Sequence, residues 1–93
     1  VLSFEQPKET AMLTIIWDET DGGNANHIAE HFLSFEDVEA VLAAPVARLF
    51  SRSSNLPMWL GYNLAGEETY VVFEWIDQDT VYPVTAFRRE YTS

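Results

Sequence analysis

The string His27-Ile28-Ala29-Glu30-His31 is the first place where residue types and spacing suggest chemistry. Residues four apart share a helix face, so the two imidazoles could hold one zinc ion with Glu30 as a base, the H-x-x-E-H arrangement. Zinc catalysis also needs a third protein ligand and an open coordination position, and no second acidic signature follows downstream. The same histidines flank Ile28 and Phe32, so the favoured reading places them at the rim of a core. No metal and no other cofactor is expected.

Cations are the second candidate set. The chain has only Lys8, Arg48, Arg52, Arg88 and Arg89. Arg48 and Arg52 point to one face of a strand if that strand is regular. Should it lie beside the final strand, the four arginines would form one basic spot able to hold a scissile phosphate. The competing reading, which we favour, pairs each arginine with a nearby carboxylate at the surface. The carboxylate pairs Asp18/Glu19, Glu36/Asp37, Glu67/Glu68 and Asp77/Asp79 fall in expected turns or a first helical turn. None stands out as a general acid/base couple. Gly22-Gly23-Asn24 lacks the spacing and lysine of a phosphate loop, and Ser51, Ser53 and Ser54 have no nucleophile-elbow context.

Composition narrows the function classes. Ninety-three residues suit one domain. Fifteen acidic against five basic residues leave a net charge of −10, which repels phosphate at long range and makes RNA an unfavoured partner. A basic protein is a better one. Cysteine is absent, excluding disulfides and thiolate chemistry. No run approaches the ~20 apolar residues of a membrane span, and the first ten residues lack a basic start leading into an apolar stretch. The expected location is cytoplasmic, with no membrane partner.

The elements that must position these residues follow from periodicity. Residues 1–11 read as an N-terminal arm, and 12–90 as a single α+β domain. Met12–Trp17 is β-branched and apolar, the profile of a first strand. Asn24–Leu33 places Ala25, Ile28, Ala29 and Phe32 on one helical stripe. Ser34 reads as the cap of a second helix, Phe35–Ala44, with Glu36 and Asp37 in its first turn and Phe35, Val38, Val41 and Leu42 on its buried side. Pro45 ends it. Strands are then expected at Val46–Ser51, Met58–Asn63, Thr69–Ile76 and Val81–Phe87. Their four-residue turns force an antiparallel meander. Pro83 marks an edge or a bulge.

This order of elements, with two segments, resembles the BrnT family of bacterial type II toxins. Trp17-Asp18-Glu19 followed by His31-Phe32-Leu33-Ser34-Phe35-Glu36-Asp37-Val38 is similar to the family's W-D … K-H-G-V-S-F-E-E-A stretch. Val84-Thr85-Ala86-Phe87-Arg88 is similar to its I-S-A-R-R. Gly61, Gly66 and Val71-Val72 suit its glycine-bearing strands. The likeness spans about residues 14–90. It implies a RelE-like ribonuclease fold and a co-produced antitoxin that represses transcription. In a ribonuclease of that kind His31 and Arg88 would be catalytic, with Arg48 or Arg52, from the arginine set above, gripping phosphate. Where the family carries lysine, glycine and arginine, this chain has Glu30, Phe32 and Phe87. With positive charge lost at those places, the expected function is protein binding, to a basic antitoxin-like partner or to itself; the alternative is a ribonuclease toxin.

Overall fold

The computed structural model describes residues 13–90. The expected N-terminal arm, residues 1–11, and Met12 of the expected first strand lie outside them. Seven elements follow in order: β1 (Thr14–Ile15), α1 (Asn24–Ala29), α2 (Phe35–Ala43), β2 (Ala47–Phe50), β3 (Pro57–Tyr62), β4 (Glu68–Asp77) and β5 (Thr80–Arg88). The class is α+β, with two short helices on a five-stranded sheet ordered β1-β5-β4-β3-β2.

The second half of the chain forms the antiparallel meander that its short turns require. β1 differs. It is shorter than expected and pairs parallel to β5, Thr14 with Thr80 and Ile15 with Val81, which makes the sheet mixed. The chain between them runs through both helices and then β2, β3 and β4, ample length for a parallel return. Trp17 leaves the strand direction and stacks on Phe35, with ring centroids 4.3 Å apart.

Pro83 lies on the stretch of β5 beyond the reach of β1. There the register jumps from Val72↔Thr85 to Phe73↔Pro83, so Val84 is the extra residue of a bulge, as the missing N–H of Pro83 favours. The Pro83 carbonyl accepts a 2.8 Å bond from the buried Asn24 amide. Asn24 also donates to the Ile16 carbonyl and accepts from the Asp18 N–H. One side chain at the start of α1 thus ties the exit of β1 to β5.

The core lies between the helices and one face of the sheet. Ile28, Leu33, Val38, Val41 and Leu42 pack on Val71, Phe73, Val81 and Ala86, all essentially out of water. Phe73 sits at its centre, edge-on to Trp59 and to Trp75. Burying such a side chain is worth about 2–3 kcal/mol. Gly61 lets α2 approach β3: a β-carbon there would lie 3.1 Å from the Val41 Cα. No helix among the described residues is long and apolar enough to cross a membrane.

Candidate functional site

The connection between α1 and α2 departs most from the helical periodicity. α1 stops at Ala29 instead of reaching Leu33. The His31 and Phe32 N–H groups donate to the Ile28 and Ala29 carbonyls, and Phe32 then turns left-handed at φ 61°. For a residue with a side chain that conformation costs about 1–2 kcal/mol, and at a helix end it is usually taken by glycine. The reversal corrects the expected stripe. Phe32 is 86% exposed and Ala29 also faces water, while Leu33 takes the place in the core.

Arg88 holds this turn in place. From the last position of β5 its Nε donates to Glu67 Oε1 at 2.6 Å, and its two terminal nitrogens donate to the His31 and Phe32 carbonyls at 2.8 and 3.1 Å. Glu67 is set by the β3–β4 turn. Asn63 Oδ1 accepts from the Ala65 and Glu67 N–H groups, and its amide donates to Glu67 Oε1 at 3.0 Å. The Arg88 bond, then the Asn63 bond, holds the Glu67 carboxyl below its ordinary pKa.

The start of α2 joins the same end of the molecule. Ser34 and Asp37 form a reciprocal capping box, as the sequence suggested for Ser34. Asp37 also accepts the Leu64 N–H at 3.0 Å. Its partial burial pushes the Asp37 pKa up, but the N–H groups of Ser34 and Leu64, with Arg88 nearby, outweigh that and leave it lowered. Two turns, a helix cap and a strand end are thereby stapled together. Phe32 and Leu64, 86% and 69% exposed, project from the two turns.

Beside the staple lies an open hollow of about 500 Å³ lined by His31, Tyr70, Phe87, Arg88, Arg89 and Glu90. The fold therefore brings His31 and Arg88 together, although the arginine engages the backbone of His31 and not its ring. Arg89 carries an ion pair to Glu68 at 3.3 Å. Both cations of the hollow face carboxylates.

The two alternative clusters weighed from the sequence do not assemble among the described residues. Arg48 and Arg52 belong to the far edge of the sheet, with β3 and β4 between β2 and β5, so the arginines form no single basic spot. Arg48 lies over the Trp59 ring, 4.8 Å from its centroid. Among the described residues the carboxylate-pairing expectation therefore holds for Arg88 and Arg89 and fails for Arg48 and Arg52. The His27 and His31 rings are 6.1 Å apart, yet among the described residues no three His, Asp or Glu side chains are grouped to hold a metal.

Sequence reasoning missed Glu67 and Asn63 as organisers. Their signal was present: Glu67-Glu68 and Arg88-Arg89 stand on the two strands at the open end of the β4–β5 hairpin, where antiparallel pairing must oppose them. Comparison with known proteins found no match to a family model, a curated protein or a solved structure.

Proposed function

We propose that this chain is a protein-binding domain that keeps a BrnT-like scaffold and docks a basic, antitoxin-like partner at the stapled end. One observation carries the reading: Phe32 is held in a strained left-handed conformation with its ring in water. Backbone strain that the surroundings enforce is a pointer to function, and an exposed aromatic is the side chain best suited to anchor an interface. Leu64 and Tyr62, also exposed, extend the apolar contact. Glu30 and Glu36, exposed within four residues of Phe32 in the chain, supply negative charge that a basic partner would meet.

The fate of Arg88 supports the same reading. A cation that stabilises a cleaving phosphate must be free to meet it. Here its three bonds go to Glu67 and two carbonyls. The position of Phe32 also fits the resemblance, since the family pattern has glycine there and φ 61° is a glycine-like conformation.

The test is co-expression with the product of the adjacent short reading frame. A stable complex is expected, lost in Phe32→Ser and kept in Arg48→Ala; failure of the wild-type pair to co-purify refutes it. A ribonuclease reading keeps one point in its favour, the shared hollow of His31, Arg88, Tyr70 and Phe87. RNA cleavage at low salt that vanishes in both His31→Ala and Arg88→Ala would establish it over the binding reading.

A further inference from the structure

The outer edge of β2 has the chemistry of a strand-pairing surface. Among the described residues no strand covers it, since β2 ends the sheet order. Ser51 N–H donates inward to the Leu56 carbonyl at 2.7 Å. By antiparallel alternation Ala47 and Leu49 also turn inward, so the backbone N–H and C=O groups of Arg48 and Phe50 face out. Natural proteins normally blunt such an edge with charge, proline or a cover. Here it is flanked by Val46, Leu49 and Phe50, which are 58%, 40% and 67% exposed.

Charge marks the same strip. From Ala40 through Gly66 there is no Asp or Glu, and the only charged side chains are Arg48 and Arg52. The fifteen acidic residues all lie elsewhere. Two copies of a chain with net charge −10 meet at this strip without setting carboxylates against each other.

We infer that a second copy of this chain pairs antiparallel with β2, so that Leu49 lies opposite Leu49 on a twofold axis and the two sheets become one. The segment is self-complementary in that register. Residues directly opposite share a face, so Arg48 meets Phe50 of the second copy, and the reverse pair forms by symmetry. The outward N–H and C=O groups of Arg48 and Phe50 then exchange bonds across the junction. Arg48, already over Trp59, gains a second aromatic neighbour. A register shifted so that Arg48 opposes Arg48 is rejected by like charge. The inference is independent of the docking proposed at the stapled end.

The contact is small. A four-residue edge with three apolar side chains covers less than the ~1,600 Å² of a standard interface, so the dimer is reversible, with Kd on the order of 10–100 μM. Sedimentation equilibrium from ~5 to ~500 μM should show monomer and dimer. Association should strengthen between ~0.02 and ~0.5 M salt, because screening relieves the acidic bodies. Leu49→Lys, which sets two ammonium groups face to face, should abolish it while leaving the melting temperature unchanged.

Register is tested separately. The chain has no native cysteine, and Leu49 would occupy a closely spaced, non-hydrogen-bonded pair. Leu49→Cys should therefore cross-link to dimer on mild oxidation at least ~10-fold faster than Phe50→Cys or Val46→Cys. A chain that stays monomeric across the range, a dimer indifferent to Leu49→Lys, or equal cross-linking at all three positions overturns the inference. A chain whose β2 edge instead binds a strand from a different protein would appear as the first of these outcomes.

Discussion

Two ends of this molecule each hold two of its arginines and use them in opposite ways. At the stapled end Arg88 and Arg89 face Glu67 and Glu68, and the Arg88 guanidinium spans two turns that are far apart in sequence. At the β2 edge, among the described residues, neither Arg48 nor Arg52 has an ion pair, and Arg48 rests on an aromatic ring. The first arrangement fixes a backbone shape and the second leaves a surface open. Charge of one type thus serves as architecture where carboxylates are near and rests on an aromatic face where they are absent.

The sharpest way to break this contrast is to disturb the packing beneath the stapled end. Gly61→Val places methyl groups against Val41, whose Cα and Cγ1 are each 3.1 Å from the position of a new β-carbon. We expect a loss of about 2–3 kcal/mol in urea unfolding. Arg88→Ala comes next, at about 1–2 kcal/mol, because two carbonyls lose their donor at a half-exposed site. Arg48→Ala should cost under ~1 kcal/mol, the worth of an exposed cation–aromatic contact. Equal costs for the two arginines would erase the distinction.

Phe32→Gly should move stability the other way, by about +1 kcal/mol, since glycine takes φ 61° without a β-carbon penalty. Partner binding should fall at the same time. A destabilised Phe32→Gly protein would mean that the ring supports the fold instead of being presented by it.

Acid should weaken the stapled end, as it should the turns at Asp18 and Asp77, whose carboxyls are also held below their ordinary pKa. Glu67 and Asp37 have folded pKa values below their ordinary ones. Their stabilising contribution is therefore complete above the ordinary carboxylate range and is lost as pH falls through the depressed folded values. Urea midpoints between ~pH 6 and ~pH 2.5 should decline, and less steeply in Arg88→Ala, where Glu67 loses the bond that lowers its pKa most. An identical slope in both proteins would remove Arg88 from the account. The smallest stability effect is expected for Leu49→Lys, which alters association alone.

Much of the architecture was readable before any coordinates. The cap at Ser34, the stripe Val38, Val41 and Leu42, the short turns and the bulge at Pro83 all follow from local chemistry. Phe32 misled because the i, i+3, i+4, i+7 pattern cannot see a helix end when no glycine announces it. The site was partly legible: His31 and Arg88 do share a hollow, but the arginine's partners come from turns more than fifty positions away or across the hairpin.

By itself the sequence determined which segments are helix and which are strand, because side-chain period, caps and turn residues act over a few positions. It also determined that the protein is acidic and that the meander is antiparallel. Only the tertiary structure decided that β1 returns parallel to β5, that Arg48 stands far from Arg88, and that Arg88 binds carbonyls. Those outcomes depend on which sheet edge each strand joins, a choice made by packing the whole core at once.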